Sequence, residues 1–370
     1  MKPMRVCVIG AGRMGRLRAQ SAVAHPLCQV VHVVDTDAAM AEKLAHDVGS
    51  SWSVDWERAV EQQDIDIVVV STTHRFLAPI TLAAVEHGKH VFCEKPMARE
   101  SSEVNALVRY LDSVKPGDVK PQVIVGFTLR HHPAAARAYQ LLRSGSIGQP
   151  YYIRAHYGHG GRPGYDREWR MDKELGGGGE LLDQGVHLID LSRWYLGDFE
   201  TVTGTVGTYF WTGTSDVDDP VKASFMLPGT PVEDNVFMLL KTKIGQTASL
   251  HASWTQWKNS FEFEIFGRDG ALILNGLGGS YGPETLTLVR RNPEGGVPET
   301  TEIDLGDCAN IWDREWNAFM AKLLPECAAG ADLSEPTSAF GGLEVLRIVD
   351  RLYGRVRSEE PADAVTLVEK

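Results

Sequence analysis

The chain is short of basic charge, of cysteine and of long apolar runs, and each shortage excludes something. Its 37 Lys and Arg face 49 Asp and Glu, a formal net charge of −12. Such a field repels polyanions, so neither nucleic acid nor an anionic membrane surface is expected as a partner. Five cysteines (Cys7, Cys28, Cys93, Cys308 and Cys327) make an odd count with no CxxC pair. The first three fall among apolar residues, which suits buried thiols of a reducing compartment better than disulfides or zinc, and no metal site is expected. No stretch approaches the roughly 18 apolar residues of a membrane span. The opening MKPMRVCVIGAGRMG runs into glycines, as a buried strand would, without a leader's cleavage pattern. A soluble, cytoplasmic chain is expected.

What is there suits two domains. The length is 370 residues and 43% of them are hydrophobic, ample for real cores. Short apolar runs at 5–10, 29–35, 65–71, 91–96 and 122–127 read as strands. Between them, 13–25, 37–49, 79–90 and 101–114 read as helices. This alternation predicts a parallel, doubly wound sheet over residues 1–126. Beyond it the pattern changes. A helix at 134–145 and a strand at 150–158 precede a run of strands at 201–210, 221–227, 234–242, 246–254, 261–266 and 271–275. Helices near 311–327 and 337–357 finish an α+β domain spanning 127–370, with a large, mostly antiparallel sheet; the last helix could pack back on the first domain.

Gly10-Ala11-Gly12-Arg13-Met14-Gly15 is G-x-G-x-x-G directly after a strand and opening a helix. Gly10 would permit the tight turn, Gly12 the approach of a pyrophosphate and Gly15 close packing of helix on sheet. The free N–H groups of the helix start would meet the phosphates. Asp35 ends the second strand, where a carboxylate accepts from both ribose hydroxyls and repels a 2′-phosphate. NAD is therefore expected over NADP, although Arg13 or Arg16 could reach a phosphate.

Two further segments carry chemistry. GKHVFCEKP (88–96) sets Lys95 at the carboxyl end of a strand, the edge where such sheets bind ligands, with Pro96 restricting its direction. GGGGELLDQGVH (176–187) sets Asp183 and His187 four apart, on one face if helical. With the N-terminal glycine loop, these motifs in this order resemble the glucose–fructose oxidoreductase / inositol dehydrogenase / MocA family. FEIFGRDGALIL (263–274) is similar to the strand–turn–strand of that family.

The resemblance implies a Rossmann domain followed by a substrate and oligomerisation domain, NAD-dependent oxidation of a ring secondary alcohol in a sugar, cyclitol or derivative, and a homodimer or homotetramer. It implies His187 as the base, Lys95 as the donor that steadies the developing alkoxide, and Asp183 orienting a neighbouring hydroxyl. Imidazole suits proton removal near neutral pH, and an ammonium suits developing negative charge. Ser71, Thr72, Thr73 and His74, with Glu94 and Lys95, would flank the cofactor. Here the chain departs from the family: the usual Pro is missing and the usual downstream His is Leu77. The glycines at 176–179 are expected to leave room for sugar and nicotinamide.

The loop 154–174 is rich in aromatic and basic residues: His156, Tyr157, His159, Arg162, Tyr165, Arg167, Trp169 and Arg170. Tyr157, Arg162, Trp169 and Arg170, with Arg130, are expected to bind substrate. If the arginines are free, a sugar phosphate or nucleotide sugar is implied; pairing with Asp166, Glu168, Asp172 or Glu174 would remove that implication. WTQWKNSFEFEIFG (254–267) reads as sheet core or subunit interface. Two other classes stay open: a redox-neutral glycosidase or epimerase that keeps its NAD, and a dinucleotide-sensing regulator with no catalysis.

Overall fold

The computed structural model describes residues 2–115, 120–162, 164–165, 168–211, 232–306, 310–325 and 334–355. Arg167, Asp166, the expected strand 221–227, Cys308 and Cys327 lie outside them. Five parallel strands form the centre of the first sheet: β1 (Met4–Ile9), β2 (Cys28–Val34), β4 (Ile67–Val70), β5 (His90–Glu94) and β6 (Val123–Gly126). A short edge strand, β3 (Ser51–Ser53), was not visible in the apolar pattern because it is exposed. The order is β6-β5-β4-β1-β2-β3, so strands are added to opposite sides of β1 and the winding switches between β1 and β4, the crevice where doubly wound sheets bind ligands. The unbroken apolar runs of the central strands match their burial. Every residue of Ile67–Val70 and Val123–Gly126 is buried, as a sheet covered on both faces requires.

Helices α1 (Arg13–Ala24), α2 (Ala38–Val48), α3 (Trp56–Glu61), α4 (His74–Glu86) and α5 (Asn105–Ser113) cover this sheet. Asp37 and Asp55 cap α2 and α3 by accepting backbone N–H bonds. The expected helix 79–90 starts five residues earlier, at His74, so Pro79 lies inside it. That shift places His74 on the first turn, at the carboxyl edge of the sheet.

The second sheet has eight strands, in the order β14-β13-β12-β11-β7-β10-β9-β8. Its members are β7 (Pro150–Gly158), β8 (Phe199–Gly207), β9 (Asn235–Thr242), β10 (Thr247–Ser253), β11 (Ser260–Gly267), β12 (Gly270–Asn275), β13 (Thr285–Arg290) and β14 (Glu299–Glu302). All pairs are antiparallel except β7 with β10. Strands β13 and β14 were not anticipated. α6 (Pro133–Arg143) and α7 (Val186–Leu196) pack on one face of this sheet. Alternation in β9 buries Val236, Met238 and Leu240 beneath them and leaves Phe237 and Leu239 exposed on the other face.

The tail returns to the first domain through more than its last helix. α8 (Ile311–Leu323) lies against α1, and Trp316 and Phe319 pack on Phe92 of β5. β15 (Thr337–Ser338) adds an antiparallel edge to β6, before α9 (Ala339–Leu352). Between α1 and α8 the fully buried Arg18 guanidinium binds Glu94 at 2.7 Å and Glu315 at 2.6 Å, flanked by the rings of Phe92 and Trp312.

Candidate active site

The glycine loop divides its work as the spacing predicts. Gly10 has φ +100°, and a Cβ there would stand 2.4 Å from the Ser71 carbonyl oxygen; one on Gly15 would stand 1.7 Å from the Gly10 oxygen. Those two glycines are required by the protein's own backbone. Gly12 differs: a Cβ there meets nothing within 4 Å, so the space before it is open. No side chain caps the first turn of α1, which leaves its N–H groups facing that space. Asp35 accepts from Ala11 N–H at 2.7 Å and Asp37 N–H at 2.9 Å, which fixes the carboxylate beside the loop with lone pairs remaining. Ser71 Oγ and Thr73 Oγ1 are buried at the adjoining strand end without a partner. An open cradle, uncapped amides and orphaned hydroxyls together fit a dinucleotide.

Lys95 leaves β5 at a cis Lys95–Pro96 peptide and crosses to the second domain. Its ammonium donates to Asp183 Oδ1 at 2.8 Å and to the Asp183 carbonyl at 2.6 Å. An ammonium has three donors, so one stays available to a substrate oxygen. The carbonyl is within reach because residues 181–185 form a π-helical turn rather than the expected α-helix: Val186 N–H bonds to the Leu181 carbonyl, five residues back. Such a turn carries an extra residue and re-aims its side chains. Burial pushes the Asp183 carboxyl up, but the cations Lys95 and Arg170 outweigh it and hold the group well below the usual range. It is a carboxylate at working pH.

His187 is the second residue of α7, beyond that turn. Phe127 and Tyr157 meet its ring edge-on, at 5.7 and 6.3 Å between centroids. Its Nδ1 is buried with no partner. Burial first, then the Lys95 charge, hold its pKa well below 6.5, so the imidazole is neutral. Lys95 is thus bonded to Asp183, and the charges of both act on the His187 ring.

Several expectations need correction. The glycines at 177–179 do not keep room for substrate; the protein fills that room itself. A Cβ on Gly177 would stand 2.4 Å from Arg99 Cβ, one on Gly178 2.1 Å from Tyr353 Oη, and one on Gly179 2.0 Å from the Glu233 oxygen. Glu233 accepts from Gly179 N–H, Leu181 N–H and Tyr353 Oη, the last at 2.5 Å, which clamps the run in place. Glu94 Oε1 accepts from the buried Arg18 guanidinium. Arg130 is bidentate to Asp190, with both bonds at 2.7 Å, and Thr337 completes that carboxylate, so its guanidinium is structural and not turned to a substrate. His74, only 5% exposed, bonds Gly176 O at 2.8 Å and meets Trp169 edge-on at 4.7 Å; it joins the two domains beside Lys95. Leu77 is core.

The substrate loop is ion-paired. Arg162 binds Glu168, and Arg170 lies 3.2 Å from Glu168 and 3.7 Å from Asp183, with its guanidinium over Trp169. Tyr165, named from sequence only as part of this loop, reaches Asp183, and two residues the sequence did not single out, Glu180 and Gln184, lie close by. Glu180 is fully buried, and burial followed by the Asp183 charge pushes its pKa well above the usual range. Gln184, with its amide oxygen accepting from Tyr281 Oη, donates to Glu180 Oε1 at 2.7 Å. Among the described residues no group of three His, Cys, Asp or Glu side chains could hold a metal.

Comparison with known proteins decides the family. Residues 4–116 match the oxidoreductase family with an NAD-binding Rossmann fold, and residues 135–273 match the GFO/IDH/MocA C-terminal domain. The chain belongs to the Gfo/Idh/MocA oxidoreductase family. It is similar to the levoglucosan dehydrogenase of Pseudarthrobacter phenanthrenivorans, 29% identical over 294 residues and 74% of each chain. The NAD(+) scyllo-inositol 2-dehydrogenase of Bacillus subtilis is 31% identical over 204 residues, 54% of this chain and 56% of that one. Among solved structures, a levoglucosan dehydrogenase complex with NADH and L-sorbose shares the fold at a TM-score of 0.79 and 23% identity, over 95% of this chain and 96% of that one. An oxidoreductase domain protein from Kribbella flavida reaches 0.81 at 25% identity, over 96% and 97%. This Gfo/Idh/MocA protein is thus an NAD-dependent oxidoreductase.

Proposed function

We propose that the protein is a dehydrogenase that oxidises a ring secondary alcohol of an uncharged sugar or cyclitol, with NAD as acceptor. The reading rests on the Lys95 ammonium, held on Asp183 with one donor to spare, and on the neutral His187 imidazole close enough to feel both charges, which we take to share one cleft. His187 takes the hydroxyl proton, Lys95 steadies the oxygen as charge develops on it, and Asp183 orients an adjacent hydroxyl. The nicotinamide, when bound, supplies the hydride acceptor. Ser71, Thr72, Thr73 and His74 line its side of the cleft; Tyr157, Trp169 and Arg170 line that of the substrate.

A neutral substrate is favoured because Arg162 and Arg170 share Glu168, and Arg170 and Lys95 share Asp183. A phosphate entering there would have to displace carboxylates already in place. Relatives named for levoglucosan, inositol and xylose support this class. NAD is favoured over NADP by Asp35, with Asp37 close behind it. We also place the protein in the cytoplasm as a homo-oligomer. Cys7, Cys28 and Cys93 are free thiols, no helix among the described residues is long and apolar enough to cross a membrane, and the outer sheet face around Phe237 and Leu239 is suited to a second copy.

A panel of levoglucosan, inositols, D-xylose, sugar phosphates and UDP-sugars with NAD, followed by NADH absorbance, tests the reading. Turnover of one or more neutral members is expected; turnover confined to the charged ones would overturn it. A redox-neutral product without NADH accumulation would favour an epimerase or glycosidase. On the active sugar, Lys95→Met and His187→Asn are each expected to lower kcat by about 10²–10⁴ without changing NADH affinity.

A further inference from the structure

Tyr165 belongs to the loop between β7 and the glycine run, and the reaction as described makes no use of it. Its ring is 2% exposed, edge-on to Trp254 at 5.1 Å and to His159 at 5.5 Å, and packed with Val232, Met171 and Trp211. A phenol buried so deeply has one polar atom that must find a partner. The partner is Asp183: Tyr165 Oη donates to Oδ2 at 3.3 Å. Lys95 already holds Oδ1 at 2.8 Å. The two oxygens of one carboxylate are therefore held separately, Oδ1 from the first domain and Oδ2 from the second. Rotation of the carboxylate about its Cβ–Cγ bond would break both contacts.

We propose that Tyr165 is a positioning residue of the dehydrogenase, fixing the plane of the Asp183 carboxylate so that its remaining lone pairs meet the hydroxyl beside the reacting carbinol. The inference rests on the reading of Lys95, Asp183 and His187 as one site. Burial, then the Asp183 and Glu180 carboxyls, keep the phenol protonated and hence a donor at any working pH. The aromatic pocket makes the donor rigid, because Trp254 and His159 stop the ring from swinging away. The loop that carries Trp169 and Arg170 is thereby tied to the carboxylate that orients the substrate.

Tyr165→Phe in the full-length protein tests this, since it removes the hydroxyl and keeps the ring. Loss of a donor to a charged group commonly lowers kcat/KM by about ten- to a hundredfold, and the 3.3 Å contact puts the expected loss near the lower figure. KM for the sugar should rise and kcat fall, with NADH affinity unchanged. A purely structural ring would lower the melting temperature and leave KM and kcat in place. Tyr165→Leu, which also empties the pocket, is the control for packing. A crystal structure of Tyr165→Phe should show the Asp183 carboxylate turned from its wild-type plane, whatever sugar proves active. Wild-type kinetics, or an unturned carboxylate, would overturn the proposal. A wild-type enzyme inert on every sugar would instead count against the proposed function.

Discussion

His74 shows how far one side chain is shaped by its surroundings. Burial, then the Lys95 charge, pull its pKa from 6.5 to about 3, against a weaker upward pull from the bond to Gly176 O. The folded protein refuses a proton that the unfolded chain accepts. His74 therefore stabilises the fold fully above about pH 6.5, and that contribution is lost as pH falls towards 3. His74→Asn keeps a donor for Gly176 O and cannot titrate. Melting temperatures measured from pH 7 to 4 should fall less steeply for this variant than for the wild type; identical slopes would mean that the imidazole is not shielded. Glu180 has the opposite sign, since its pKa is raised well above the usual range. Glu180→Gln copies the protonated side chain and is expected to leave kcat within about threefold of wild type, whereas an acid working as a carboxylate would not tolerate the change.

Among the elements, the glycine run and the π-helical turn act together. The run lets Glu233 and Tyr353 press against the backbone, and the turn beyond it frees the Asp183 carbonyl for Lys95. Gly178→Ala puts a methyl group 2.1 Å from Tyr353 Oη and so forces α9 or the turn to shift. A loss of about 1–3 kcal/mol is expected by analogy with overpacked cores, read by denaturant melts, with a fall in kcat from displaced Asp183. This element also marks how far the sequence could be read. Gly10, Gly12, Gly15 and Asp35 were legible because their spacing maps onto one loop and one strand end. Lys95, Asp183 and His187 were legible because each lies in a short motif. The purpose of the glycines was not, because what occupies their space, Tyr353 and Glu233, bond to each other across 120 positions. The partner of Glu94, Arg18, is 76 positions away and no local pattern announces it.

At the scale of the whole molecule, one face of the second sheet carries no helix among the described residues. Phe237 stacks on His251 at 4.2 Å, and Leu239 beside them is 53% exposed. An apolar strip on an open sheet is the kind of surface that a second copy covers. Leu239→Lys is expected to shift the protein towards monomer in light scattering after gel filtration. A wild-type protein that is already monomeric at micromolar concentration would end the oligomer reading.

Arg18 also bears on the order in which the chain can be made. When residues 1–126 have left the ribosome, the guanidinium inside α1 has Glu94 but lacks Glu315, and the sheet lacks the edge that residues 337–338 later supply. The nucleotide-binding half is contiguous in the gene as far as its centre and then waits for material encoded far downstream. A premature stop anywhere in between should thus yield chains that never set their dinucleotide groove, a failure visible as insoluble product rather than as a smaller NADH-binding protein.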